Sequence, residues 1–590
     1  MKLSNIITFT LLAVTAALSA QTVRHLDKNI SIIEIDNVQN NYLLLPVQEW
    51  AAEAQVEQVI DNQVVLSSNI RLADSLISYF VPIDLKPYKG KAMRLQVKNI
   101  NKNALCWQHI RLSDEFDSSN TEKFRPSYHF TPPYGWMNDP NGMVYKDGIY
   151  HLYYQHNPYG SLWGNMTWGH AQSKDLVHWE HQPLAIFPDA WGTIFSGSSV
   201  VDHNNTAGFG KGAIVAVYTS AGDNQTQSIA YSLDNGKTFT KYDKNPVLVS
   251  SVPDFRDPKI IWHEASQKWI MSLAVGQEIQ FFSSPDLKNW TEESRFGEGQ
   301  GSHGGVWECP DLFELPIEGT DKKQWVFIVS IGDNGPFGGS ATQYFIGDFD
   351  GKTFTNRYPD ATKWMDFGKD HYATVTWAGI PDNRIVAIAW MSNWKYAQNV
   401  PTTQFRSANS VPRELFLFEE NGTVSMGSRP VKELDLLASG KPETASFSVK
   451  NKTVRKPLPS SGAYRIDLKI KNNNASEIAF NLTNRKGETL KMTIDVKKGE
   501  FVMNRNESGL TDFSADFPAT TKAPFNSVEE EYFLTLFIDK SSIEVFGNNG
   551  KFAMTNLVFP TENYDSLQFV PEKDGYKIEY TLQKLKGSSE

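Results

Sequence analysis

Three short stretches carry acidic residues beside proline and aromatic or amide side chains: Trp136-Met-Asn-Asp-Pro-Asn-Gly142, Asp254-Phe-Arg-Asp-Pro-Lys259 and Trp307-Glu-Cys-Pro-Asp311. In the first, Asp139 lies among hydrogen-bonding side chains and precedes a proline that restricts its backbone. Taken alone, Asp-Pro-Asn-Gly is an ordinary turn signal. Three such acids in one pocket would do more. Cleaving a glycosidic bond with retention needs one carboxylate to attack the anomeric carbon and a second carboxyl, about 5 to 5.5 Å away, to protonate the departing oxygen. Asp139 suits the nucleophile and Glu308 the general acid/base. A short, restrained Asp beside Asn138 is expected to stay ionised. A Glu between Trp307 and Cys309, near other carboxylates, is expected to have its pKa raised. Asp257 would accept hydrogen bonds from substrate hydroxyls as positive charge develops on the sugar, and Arg256 would offset repulsion among the acids.

Acids so far apart in the chain meet only if the fold brings equivalent positions together, and a repeat provides for this. Ser173-Lys-Asp-Leu-Val-His-Trp179 recurs as Ser232-Leu-Asp-Asn-Gly-Lys-Thr-Phe239, as Ser284-Pro-Asp-Leu-Lys-Asn-Trp290 and, more weakly, as Asp348-Phe-Asp-Gly-Lys-Thr-Phe354. Each copy is a polar turn ending in an aromatic, each follows a β-rich run, and the spacing of roughly 50 to 65 residues is that of a propeller blade. Four copies imply four or five blades. The first strand of every blade lines the central axis, and the acidic motifs open segments that read as such strands.

The rest of the chain is also β-patterned. Tyr42-Leu-Leu-Leu-Pro46 and Met93-Arg-Leu-Gln-Val97 read as strands of a small N-terminal β-sandwich. Ala463-Tyr-Arg-Ile-Asp-Leu-Lys-Ile470 and Tyr532-Phe-Leu-Thr-Leu-Phe-Ile538 read as strands of a C-terminal one. At 590 residues the chain exceeds one hydrophobic core, and 16 Trp suit exposed sugar-facing platforms. A net charge of −10 with no basic run excludes a nucleic-acid partner. Met1-Lys2, the apolar stretch Ile6 to Leu18 and small residues at Ala17, Ser19 and Ala20 form an export signal, too short for a good membrane span. No membrane insertion is expected after its removal, and the mature protein is expected in the periplasm or the medium. Cys106 and Cys309 make neither a disulfide framework nor a zinc spacing. His151, His156 and His170 have no metal-ligand pattern, so core or subsite places are expected for them, with no metal and no cofactor.

Taken in order and spacing, the three acidic motifs resemble those of glycoside hydrolase family 32, the invertase, levanase, inulinase and fructosidase family. Tyr153-Tyr-Gln-His-Asn-Pro158, Trp168-Gly-His-Ala171, Phe195-Ser-Gly-Ser198, Asp366-Phe-Gly-Lys-Asp-His-Tyr-Ala373, Val411-Pro-Arg-Glu-Leu415 and Ser542-Ile-Glu-Val-Phe546 agree with the family pattern. The resemblance implies an all-β chain: a five-bladed β-propeller joined to a C-terminal β-sandwich, with the small N-terminal domain outside the family's common core. The expected organisation is a signal at 1–20, an N-terminal β domain at 21–122, the propeller at 123–428 and the sandwich at 429–590. It further implies removal of terminal fructose from levan, inulin, fructo-oligosaccharides or sucrose, with Asn138, Gln155, Trp163, Ser198, Arg256 and Asp257 holding the sugar.

A sialidase shares the Ser-x-Asp-x-Gly turn but needs an arginine cluster and a tyrosine nucleophile, and neither is in these motifs. Endo-acting cleavage or fructosyl transfer could run on the same site. A glycan-binding protein without activity would have no use for all three acids.

Overall fold

The computed structural model describes residues 21–119, 121–573 and 575–588; the expected export signal lies outside them. Strands account for nearly all regular structure, and the few helices among the described residues are 3₁₀ segments of three to six residues. Among the described residues no helix is long and apolar enough to cross a membrane. The chain forms two compact units, dividing between Asp117 and Ser118.

The first unit holds two antiparallel sheets. Five strands run in the order Gln21–Asp27, Ile30–Ile35, Met93–Lys98, Ala54–Ile60 and Gln63–Ile70, and three in the order Tyr79–Asp84, Tyr42–Val47 and Arg111–Ser113. Ile33, Ile35, Leu43, Leu45, Val56, Val81, Leu95 and Val97 are buried, as the period-two pattern requires.

In the second unit five antiparallel sheets follow one another along the chain. Their innermost strands are Gly135–Lys146, Thr193–Asp202, Phe255–His263, Trp307–Pro316 and Tyr372–Thr376. Each touches the next and the fifth returns to the first, so the sheets are blades around one axis. The two-residue strand Phe405–Arg406, from a long connection inside the fifth blade, pairs in parallel with Gly135 and Trp136 and helps close the ring. Second strands such as Ala213–Ala221 are covered on both sides and are almost continuously apolar. Apolar layers fill the gaps between blades: Val215, Val217 and Ile229 meet Phe255, Ile260 and Met271 between the second and third. Phe281 and Ile270 meet Leu312, Phe327 and Val329 between the third and fourth.

The repeated turns link third and fourth strands in blades one to four by a common device. Asp175, Asp234, Asp286 and Asp350 each accept backbone N–H bonds from residues two to four positions on. A serine two residues earlier shares a hydrogen bond with the aspartate in the first three copies. The fifth blade turns instead at Asn421-Gly422, both at positive φ, which is why it adds no fifth copy.

Two six-stranded sheets make the C-terminal sandwich. One runs Ala438–Val449, Tyr576–Leu585, Tyr464–Asn472, Glu531–Asp539, Ser542–Gly547, Phe552–Leu557. The other runs Val454–Pro457, Ser566–Phe569, Glu477–Thr483, Thr489–Asp495, Glu500–Glu507, Thr520–Pro524. Ile466, Leu468, Ile478, Phe480, Met492, Leu534 and Phe569 lie in the core between them.

Three of the family-like motifs hold this sandwich to the propeller. His129 bonds Asp539 Oδ2 through Nδ1 and Glu544 Oε1 through Nε2, both at 2.9 Å. Arg413 joins Glu544 to Asp366, whose Oδ1 accepts the Thr555 N–H at 2.8 Å. All these side chains are buried. Burial opposes the charge on His129, yet its hydrogen bonds to Asp539 and Glu544 prevail and push it up to about 9. A raised histidine pKa stabilises the fold fully below the unfolded value of about 6.5, and the stabilisation is lost as pH rises through about 9. His129→Gln should therefore lower the thermal unfolding midpoint at pH 6, with about 3 to 5 kcal/mol lost with the buried partner. The gap from the native protein should close between pH 7 and 10 in a melting series.

Candidate active site

All five innermost strands carry a β-bulge near their start, where two residues face one on the second strand. The bulged pairs are Asn138-Asp139, Phe195-Ser196, Asp257-Pro258, Cys309-Pro310 and Ala373-Thr374. A bulge re-aims side chains and ends regular pairing. Five at one level turn a set of side chains toward one mouth of the axis. Asp257, Cys309 and Ala373 take positive φ of 65°, 48° and 52°. Pro258 and Pro310 occupy the second bulge position, where no ladder N–H is required.

The bulged residues meet around Asp139. Asn138 Nδ2 donates to Asp139 Oδ1 at 3.0 Å and Ser196 Oγ to Oδ2 at 2.8 Å. The Cys309 thiol lies 3.5 Å from Asp139 Oδ2 and 3.6 Å from Asp257 Oδ2, and the Cys309 N–H donates to Asp257 Oδ2 at 3.1 Å. Asn138 is held in turn by Trp136 Nε1, which donates to its Oδ1 at 2.8 Å.

The residues just before the bulges of blades three, four and five form a second row. Arg256 donates to Glu308 Oε1 through Nε at 3.1 Å and Nη2 at 2.9 Å, and the Tyr372 hydroxyl donates to Glu308 Oε2. Arg256 is itself steadied by Asp254 and by Gln225 Oε1 at 3.3 Å. Below both rows a buried ion pair joins blades three, four and five. Lys259 Nζ donates to Asp311 Oδ2 and to the Thr376 carbonyl, each at 2.8 Å. The acids therefore stand together above this contact, at one end of the axis.

Asp139, Asp257, Glu308, Arg256 and Asn138 come together as their motifs lead one to expect. Gln155 is buried directly opposite the bulge of blade one, and its amide nitrogen has no hydrogen-bond partner among the described residues. Trp163 is 42% exposed and lies edge-on to Phe195 at 6.1 Å between ring centroids. Ser198 departs from expectation. Its buried hydroxyl donates to the Pro258 carbonyl at 2.8 Å and accepts the Ile260 N–H at 2.9 Å, stapling blade two to blade three. The bulge at Phe195-Ser196 makes Ser196 the serine that reaches Asp139. Sequence reasoning misses Ser196 and Tyr372; both lie in family-like motifs, which is the one available signal. His151, His156 and His170 are core residues: His151 Nδ1 and His170 Nε2 are 3.2 Å apart and His156 Nδ1 bonds the Trp136 carbonyl at 2.8 Å.

The electrostatics also differ from expectation. Asp139, expected to stay readily ionised, is pushed up to about 6 by burial and then by the charge of Glu308, against hydrogen bonds from Asn138, Ser196 and Cys309. Asp257 is pushed up by burial despite Arg256, with Glu308 and Asp139 adding to the rise. A short side chain set deep by a bulge loses more water than sequence neighbours reveal. Among the described residues no group of histidines, cysteines and acids is arranged to hold a metal.

Two carboxylates set by bulges at one end of a propeller axis, with a third held by arginine and tyrosine, suit a glycosidase. The chain is a member of glycoside hydrolase family 32: the model of the family's N-terminal domain matches residues 129–428 and that of its C-terminal domain residues 433–586. Residues 27–128 match a domain of unknown function. The chain is 46% identical to the levanase of Bacillus subtilis over 489 residues, covering 80% of this chain and 72% of the levanase. It is 38% identical to an extracellular exo-inulinase of Aspergillus niger over 491 residues, 75% of this chain and 90% of that one. The crystal structure of exo-inulinase from Aspergillus awamori superposes with a TM-score of 0.76 at 34% identity, covering 80% of this chain and all of that one. Fructofuranosidase from Schwanniomyces occidentalis, solved with fructose, gives 0.74 at 36% identity, with coverage of 80% and 100%.

Proposed function

We propose that this family 32 enzyme removes terminal β-fructofuranosyl residues from fructans, fructo-oligosaccharides or sucrose with retention, Asp139 being the nucleophile and Glu308 the general acid/base. The observation that carries the reading is the level of five bulges, which brings Asp139, Asp257 and Glu308 together at one end of the axis. Asp139 attacks the anomeric carbon while Glu308 protonates the glycosidic oxygen, so the bond to the leaving sugar breaks as the bond to Asp139 forms. Glu308 then takes a proton from water, which attacks the fructosyl ester and frees Asp139. Ser196 and Asn138 aim the nucleophile; Arg256 and Tyr372 fix both oxygens of Glu308. Asp257 accepts hydrogen bonds from sugar hydroxyls as positive charge builds on the ring. Asn138, Gln155, Trp163 and Arg256 hold the terminal sugar. The likeness to extracellular exo-inulinases supports attack at chain ends over internal cleavage. The leader-like residues 1–20 and the extracellular relatives support action beyond the cell membrane, in the periplasm or the medium.

The test is a product time course on levan, inulin and sucrose, with Glu308→Gln beside the native protein. Free fructose is expected as the sole early product, and the variant should form almost none. Oligosaccharides appearing first would make the enzyme endo-acting, longer fructo-oligosaccharides from sucrose would make it a transferase, and no turnover of any substrate would end the assignment.

A further inference from the structure

Two aromatic side chains stand exposed on the connection from the last strand of blade one, Glu180–Ile186, to the innermost strand of blade two, Thr193–Asp202. Phe187 is 43% and Trp191 49% exposed. Single exposed apolar residues are common and need no explanation. These two lie within one short connection whose backbone is tightly held. Asp189 and Gly192 exchange backbone hydrogen bonds at 3.2 and 3.0 Å, and Asp189 Oδ1 accepts the Trp191 N–H at 2.8 Å. Lys241 Nζ donates to the Phe187 carbonyl at 2.5 Å and to Asp189 Oδ2 at 2.6 Å. Gly192 has φ +116°, and a Cβ there would fall 2.2 Å from the Ala221 carbonyl. The exposed indole thus stands on a turn with little freedom left to lose on binding.

The neighbours of the turn place it beside the groups that hold Glu308. Gly222 packs so closely on Trp191 that an added Cβ would lie 2.7 Å from the Trp191 carbonyl oxygen. Gln225, just across the same tight turn and paired with Ala221, accepts a hydrogen bond from Arg256, which holds Glu308. The general acid protonates the departing oxygen, so this is the flank on which the leaving group departs. Trp191 precedes Ser196, which bonds Asp139, by five residues, so at most about 18 Å of chain separates them. Sucrose ends one ring beyond the scissile bond; a fructan chain continues.

We propose that Trp191, with Phe187, is an aromatic platform on the leaving-group flank that takes fructosyl units of a β-fructan beyond the one next to the scissile bond. The inference rests on the β-fructosidase reading above. An indole offers a broad, rigid apolar face for sugar C–H groups, and its contact forms only with substrates long enough to reach it. Trp191 therefore sets a preference for polymer over disaccharide.

The experiment compares kcat and KM on levan, inulin and sucrose for the native enzyme, Trp191→Ala and Trp191→Phe. The ratio of kcat/KM on polymer to that on sucrose should fall about tenfold in Trp191→Ala, an anchor-sized loss carried by KM, with Trp191→Phe between. A larger fall on levan than on inulin, or the reverse, identifies the linkage the platform fits. An unchanged ratio, or equal loss on all three substrates, would overturn the inference and leave the activity assignment standing. A native enzyme inactive on all three would overturn both. Should Trp191→Ala fail to fold, Trp191→Phe and Phe187→Ala read the same ratio with the same two outcomes.

Discussion

Asp139→Asn should leave a folded protein that binds fructan and scarcely cleaves it, with kcat lower by about 10,000-fold or more. The amide retains the shape of the carboxylate and an acceptor oxygen for Ser196, but it lacks the charge that attacks the anomeric carbon. Removing a nucleophile from a concerted set costs losses of this order. Unfolding can be separated from chemistry. Because burial pushes Asp139 up to about 6 from an ordinary 3.8, its charged form is disfavoured in the fold and weighs against stability above that pH. The variant should melt at the same temperature as the native protein, or higher, at pH 7. The same shift predicts the acid limb of the native enzyme. As pH falls through about 6 the nucleophile is protonated, and kcat/KM, which reports the free enzyme, should fall with it. Asp257 titrates beside Asp139, so the limb belongs to the pair. Undiminished kcat/KM down to pH 4, or an Asn variant with more than a hundredth of native kcat, would remove Asp139 from the role.

Glu308→Gln should lower kcat on levan, inulin and sucrose by about 100- to 10,000-fold, the range spanned by general acid–base catalysis. Its distinguishing mark is dependence on the leaving group. An alkoxide leaving from sucrose or fructan requires a proton, whereas fluoride or nitrophenolate does not. The first step on such an activated fructoside should be nearly intact, while the second still lacks its base. The fructosyl ester on Asp139 should then accumulate and appear in intact-protein mass spectrometry as an increase of one fructosyl residue. Arg256 and Tyr372 bind Glu308 from either side, so Gln should remain in place and the defect should be chemical. Equal loss on activated and natural substrates, with no added mass, would mean that Glu308 serves structure or binding.

Much of this site is legible in the chain's local chemistry. The Asp257-Pro258 and Cys309-Pro310 dipeptides mark two of the five bulges, because proline at a residue that leaves the ladder is both tolerated and informative, whereas Pro140 follows the bulge of blade one and stands opposite Tyr154. The repeated turns are legible for the same kind of reason: an aspartate capping its own backbone is local chemistry, complete within a few residues. Blades two and five place Phe195-Ser196 and Ala373-Thr374 at their bulges, with neither proline nor acid. Ser196 and Tyr372 therefore carry no local sign of their contacts with the acids, and Ser198, expected at the sugar, bonds the backbone of blade three instead. Asp366, Arg413 and Glu544 stand out as motif residues, but they join propeller to sandwich, a function that exists only once both domains have folded.

By itself, the sequence determined the all-β class, the repeated blades, the acids and the chemistry that a nucleophile and a general acid can perform. These follow from residue type, short-range turn chemistry and period-two patterning, all of which act within a few positions of the chain. Only the tertiary structure decided which side chains enter the pocket and how they are charged. A bulge alters the facing of every neighbour on its strand. The shifts on Asp139 and Asp257 arise from water excluded by five blades at once, and from charges more than fifty positions away in the chain.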